Sequence, residues 1–204
     1  MKKQVIVIHG GDCFETKEKY LSFLRSFEID SLDYFFGTSW KSILQQNLGE
    51  DFQVVAPRMP NQFDARYEEW KIWFEKLIPL LNSEVALVGH SLGGTFLAKY
   101  LAENTLSKKI TSLHLVAPMY DAEGTNDSMC DFVMPQNLEK ITNQCSNIFL
   151  YQSSDDEIVP PLNAEKFLKA LPNAKLMSFS DRGHFNQESF PEIIENIKVQ
   201  KLES

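Results

Sequence analysis

The sequence predicts an α/β protein in which a mostly parallel, six-stranded sheet is flanked by helices. Short, continuously apolar runs recur along the chain, helical patterns separate them, and no repeat or low-complexity tract interrupts the alternation. The runs are Gln4–Ile8, Phe52–Ala56, Val85–Val88, Leu113–Ala117 and Ile148–Tyr151, with a weaker sixth at Lys175–Phe179. Unbroken apolarity is expected of strands covered on both faces, as crossover helices cover a parallel sheet.

Each connection supports this order. Leu32, Phe36, Trp40, Ile43, Leu44 and Leu48 fall on one helical face, with Gly49 as the stop. Trp70, Trp73, Phe74, Leu77, Ile78 and Leu81 form a second face, which Pro79 kinks or ends. Phe96, Leu97, Tyr100 and Leu101 mark a third helix. Ala164, Phe167, Leu168 and Leu171 mark a fourth, bounded by Pro161 and Pro172. Ser189 and Glu192 suggest a capping box before Ile193, Ile194 and Ile197. The stretch from Gly11 to Glu50 is too long for one crossover helix, and Tyr20, Leu21, Leu24 and Phe27 have helical spacing. A helical insertion at about 12–36, capping a pocket or packing on an edge, is therefore expected within a single domain spanning 1–204.

Composition narrows the function. The 204 residues are 43% hydrophobic and 24% charged, which suits a folded core and not a disordered chain. A net charge of −8 argues against nucleic acid or an anionic membrane as partner. The apolar run after Lys3 is too short for a secretory signal and no run is long enough to span a bilayer, so the chain reads as soluble and cytoplasmic. Cys13, Cys130 and Cys145 make an odd count without metal-binding spacing, as expected of reduced thiols, and no metal site is expected.

The sharpest motif is Gly89-His90-Ser91-Leu92-Gly93, a G-x-S-x-G pentapeptide placed between a strand and a helix. Such a turn strains the serine backbone and exposes its hydroxyl, while glycines admit neighbouring backbone. A serine nucleophile needs a base and an orienting carboxylate. His9 lies in the first loop, His90 inside the elbow and His114 inside a strand. His184, in the loop after the last strand, is the base by elimination. The acid is expected after the fifth strand, where Asp155, Asp156 and Glu157 are adjacent. An oxyanion hole would draw on the N–H groups of Leu92 and, from the first loop, Gly11. Met119, Tyr120 and Phe185 are candidates to line the substrate pocket.

These pieces resemble the α/β-hydrolase superfamily and, within it, the small serine hydrolases of the retinoblastoma-binding protein nine type. The resemblance is carried by Ile8-His9-Gly10-Gly11, Gly89-His90-Ser91-Leu92-Gly93-Gly94, Ser154-Asp155-Asp156-Glu157-Ile158-Val159-Pro160 and Gly183-His184-Phe185. It implies a three-layer α/β-hydrolase fold, no metal or organic cofactor and hydrolysis of a carboxylic ester. It also implies that the acid is the aspartate three residues before the hydrophobic residue preceding proline, Asp156, with Asp155 second. The stretch from Met119 to Asn147 leaves no room for a large lid domain, so the expected substrate is a small ester or thioester. The same residues would serve an acyltransferase, and a binding module that kept the fold with weak catalysis is the reading from another class.

Overall fold

The computed structural model describes residues 2–32, 38–125 and 128–199. Its six strands are β1 Lys3–Ile8, β2 Phe52–Val55, β3 Glu84–His90, β4 Lys109–Val116, β5 Ile148–Ser153 and β6 Lys175–Phe179, and they form one sheet in the order β2-β1-β3-β4-β5-β6. Every neighbouring pair is parallel; Ile6 stands opposite Leu87, and Leu115 opposite Leu150. The four inner strands are buried almost throughout, whereas edge strand β6 alternates with solvent, which is why its apolar signal is weak. β4 starts four residues before the apolar run at Leu113, because Ser112 and His114 are buried polar residues satisfied by each other, with His114 also bonded to the Tyr151 hydroxyl.

Alternate strand residues supply two cores, one on each face of the sheet. Ile6, Ile8, Leu87, Leu113 and Leu115 face α3 (Tyr67–Leu77), α4 (Leu92–Glu103), α5 (Glu139–Gln144) and α6 (Leu162–Ala170). Val5, Val7, Ala86, Val88 and Val116 face α2 (Trp40–Leu48) and α7 (Pro191–Lys198). Trp70 anchors the first core and Trp40 the second, both fully buried; burying such a side chain is worth about 1.5–3 kcal/mol or more. A further helix, α1 (Lys17–Ser26), is capped by the Thr16 hydroxyl and buries no residue of its own. Among the described residues, no helix is long and apolar enough to cross a membrane.

Several local expectations change. The α2 face does not reach back to Leu32, which is 73% exposed in a turn, because the Ser39 N–H donates to Ser42 Oγ and starts the helix at Trp40; Phe36 lies outside the described residues. Trp73 is half exposed, since the buried stripe of α3 runs through Tyr67, Trp70 and Phe74. No capping box involves Ser189 and Glu192: α7 begins at Pro191, whose fixed φ suits a first helical turn, and Glu192 pairs with Arg182 at 2.9 Å.

Candidate active site

β3 ends at His90 and α4 begins at Leu92, leaving Ser91 alone between them with φ 54° and ψ −126°. That conformation is held from several sides. The Ser91 N–H donates to the Val116 carbonyl at 2.8 Å, and the Ser91 carbonyl accepts from the N–H groups of Gly94 (2.8 Å) and Thr95 (3.1 Å). A Cβ at position 89 would stand 2.5 Å from the Gly93 carbonyl oxygen, and one at position 93 would stand 2.4 Å from the carbonyl oxygens of both Ile8 and His9. Only glycines allow β1, β3 and α4 to meet this closely. The Leu92 N–H, first in α4, has no acceptor within its helix and sits at the positive end of the helix dipole.

The loop after β1 is set by His9. Its Nε2 accepts the Met59 N–H at 2.9 Å, so the hydrogen of the neutral ring is on Nδ1, which donates to the Gly10 carbonyl at 2.6 Å. Burial lowers the His9 pKa, in keeping with a neutral ring. Gly11 follows on the cavity surface, and the next N–H, that of Asp12, donates to the Gln62 carbonyl at 2.9 Å.

The loops after β5 and β6 bring Asp156 and His184 together. His184 Nδ1 lies 2.9 Å from Asp156 Oδ2 and 3.1 Å from Oδ1. The Asp156 side chain is fully buried, and Oδ1 also accepts the N–H groups of Ile158 and Val159, both at 2.9 Å. A carboxylate can only accept, so Nδ1 carries the hydrogen and Nε2 offers a lone pair. Asp155 faces elsewhere: its Oδ1 accepts from the Ser153 hydroxyl and the Gly183 N–H, and the Ser153 bond leads in holding its carboxyl below the usual range. The His184 loop is tied to the elbow by His90, whose Nε2 donates to the His184 carbonyl at 2.8 Å. Burial drives the His90 pKa well below its ordinary value.

Ser91, Leu92, Gly11, Met119 and His184 share one cavity of about 470 Å³. Asp156 stands behind His184, off the cavity surface. A larger depression of about 750 Å³, lined by Gln4, Glu84 and Asn147, contains none of these groups, so chemistry and not size identifies the site. Two pocket expectations fail. Phe185 is fully buried with φ 54°, packs on Phe179 and Phe190 in the second core, and its carbonyl accepts from Trp40 Nε1 at 2.8 Å. The chain reverses there, so the side chain after His184 enters the core and not the cavity. Tyr120 packs its ring on Phe167 at 5.1 Å, with its N–H on Asn163 Oδ1.

In their place the cavity has an aromatic wall that the insertion and, through Phe63, the loop after β2 supply. Phe14, Phe23, Phe27 and Phe63 all line it, and Phe23 lies 5.0 Å from Phe14 and 5.3 Å from Phe27 between ring centroids. Of the two places open to the insertion, its described part thus borders the cavity. Lys41 of α2 also reaches the cavity, a residue no local pattern distinguishes from a solvated helix lysine.

The Serine hydrolase family model matches residues 37–199 of the chain. Among curated proteins, the chain is 29% identical to Serine hydrolase RBBP9 of Rattus norvegicus over 149 residues, covering 72% of this chain and 77% of that protein. It is 25% identical to Putative hydrolase YdeN of Bacillus subtilis over 189 residues, covering 92% and 88%. Among solved structures, the B. subtilis ydeN gene product superposes with a TM-score of 0.70 at 20% identity, covering 98% of each chain. A 2-hydroxy-6-oxo-6-phenylhexa-2,4-dienoate hydrolase from Rhodococcus superposes at 0.62 with 17% identity, covering 97% of this chain and 91% of that one. These superpositions share the α/β-hydrolase fold, here with no large lid among the described residues.

Proposed function

Because the chain belongs to the serine hydrolase family, we propose that it cleaves a small carboxylic ester or thioester through an acyl-enzyme, with Ser91 as nucleophile, His184 as base and Asp156 as the group that orients His184. The observation that carries this reading is the Asp156 carboxylate fixing the hydrogen of His184 on Nδ1, while the His184 ring shares a cavity with the strained Ser91.

The steps follow from those positions. His184 Nε2 takes the Ser91 hydroxyl proton as Oγ attacks the acyl carbon, and Asp156 balances the imidazolium that forms. The carbonyl oxygen, now negative, is held by the N–H groups of Gly11 and Leu92; losing one such donor typically costs about 10²- to 10³-fold in rate. His184 returns its proton to the departing alcohol or thiol. Water then enters and gives a proton to His184 as its oxygen attacks the acyl carbon; the bond from that carbon to Ser91 Oγ breaks, His184 returns the proton to Oγ, and the acid leaves. Phe23, Phe27 and Phe63 offer an apolar wall to the non-reacting part of the substrate, and Met119 adds to it.

A fluorophosphonate probe should label the wild-type protein and not Ser91→Ala, and that variant should lose roughly 10³- to 10⁶-fold in turnover of 4-nitrophenyl acetate. Equal labelling, or equal hydrolysis, would remove Ser91 from the reaction.

A further inference from the structure

α2 places Lys41 on the cavity surface beside the elbow. Its Nζ lies 3.3 Å from His90 Nδ1 and 5.1 Å from the centroid of the Trp40 ring. The hydrogen-bond chain fixes what Lys41 can do. His90 Nε2 faces a carbonyl oxygen, so it bears the hydrogen and the Nδ1 lone pair accepts from the Lys41 amine. One N–H of an ammonium is used in this way, and two remain.

No carboxylate among the described residues forms an ion pair with Lys41. Burying an ammonium with no counter-charge among the described residues is costly, and burial accordingly lowers the Lys41 pKa to about 8. Such a group gains most from an anion that arrives with the ligand, because the charge has already been desolvated by the fold and a charge-assisted hydrogen bond is stronger than a neutral one. Phe14, Phe23, Phe27 and Phe63 line the same cavity, with Asp12, Ser128 and Asn186 as further polar groups on its surface. Aromatic rings and a cation on one cavity with the strained serine suit an ester that carries its own negative charge.

We propose that Lys41 is a specificity residue, and that the substrate is a mostly apolar ester or thioester whose acyl or alcohol part bears a second, ionised carboxyl group that pairs with the Lys41 amine. This builds on the hydrolase reading above and adds the substrate class.

Two pairs of esters test it. Mono-4-nitrophenyl adipate is compared with 4-nitrophenyl hexanoate, and 4-carboxyphenyl acetate with 4-(methoxycarbonyl)phenyl acetate. In at least one pair the wild-type kcat/KM should favour the anionic ester by about tenfold or more at pH 7. Lys41→Gln should reduce that ratio by about the same factor and Lys41→Arg should keep most of it. The ratio cancels the titration of the shared nucleophile and base. It should decline as pH rises through about 8, where the Lys41 ammonium loses its proton; the other titratable groups on the cavity surface, among the described residues, are His9, His90, His184, Asp12 and Cys13. A ratio near or below one in both pairs, or one that Lys41→Gln leaves unchanged, overturns the proposal.

Binding keeps the two readings apart. In Ser91→Ala protein, calorimetry should show hexanoate or adipate binding about tenfold more tightly than hexanamide, with the margin lost on adding Lys41→Gln. If neither ester class is hydrolysed yet this margin is found, the hydrolase reading fails and the anion subsite stands. Equal binding of acid and amide overturns the subsite whatever the activity.

Discussion

Replacing Ser91 by glycine and, separately, by alanine isolates the backbone strain at the elbow, because both changes remove the same hydroxyl. At φ 54° and ψ −126° a residue with a Cβ is outside the populated regions, a penalty of about 1–3 kcal/mol that glycine does not incur. Glycine's greater freedom in the unfolded chain gives back about 0.5–1 kcal/mol. The Ser91 backbone bonds to Val116, Gly94 and Thr95 are common to both variants and cancel. Ser91→Gly should therefore be more stable than Ser91→Ala by about 1 kcal/mol, which for a chain of this length is roughly 2–4 °C in Tm. Urea unfolding followed by tryptophan fluorescence, with equal m-values, measures the difference directly; circular dichroism gives the melting temperatures. An alanine variant as stable as the glycine variant, or more so, would mean that the elbow stores no strain.

Two further outcomes follow from neighbouring side chains. Asp156→Asn keeps an oxygen for the Ile158 and Val159 N–H groups but places an amide against His184 Nδ1, which favours the wrong tautomer; ester turnover should fall by about 10⁴-fold, whereas Asp155→Asn, which keeps its acceptor for Ser153 and Gly183, should cost less than about tenfold. The reverse ranking in 4-nitrophenyl acetate assays would make Asp155 the acid. Buried His114 has its pKa lowered to about 3, so below the unfolded value of 6.5 the unfolded chain takes up a proton that the native chain refuses. Stability from this residue is complete above about pH 7 and declines as pH falls from 6.5 toward 3, by about 2 kcal/mol at pH 5. Urea titrations at both pH values should show that decline reduced in His114→Gln; an unchanged pH dependence would exclude His114 as its source.

What the sequence made legible followed from strong local constraints. A strand buried on both faces must be apolar at every step, so β1, β3 and β5 stand out, while edge strand β6 gives a fainter trace. The elbow is readable because one serine must fit between a strand and a helix with glycine at both flanks. His184 could be reached by elimination. Asp156 could not be separated from Asp155 by residue type or spacing alone, since both follow β5 and what differs is which carboxylate is turned inward to the Ile158 and Val159 N–H groups. Phe185 is next to His184 in sequence, but adjacent side chains leave a tight turn in different directions, and its ring enters the second core. Lys41 was illegible for the opposite reason: nothing near it in sequence announces the cavity, which is assembled from loops far along the chain.

Trp40 and Lys41 are consecutive residues of α2, and they reach two different things. The indole N–H supports the backbone one residue after His184, and the amine contacts the histidine that precedes Ser91. A small roll of this helix about its own axis would shift the proton acceptor and the charge near the nucleophile in a single movement, so reactivity and ligand preference are geared to one shaft.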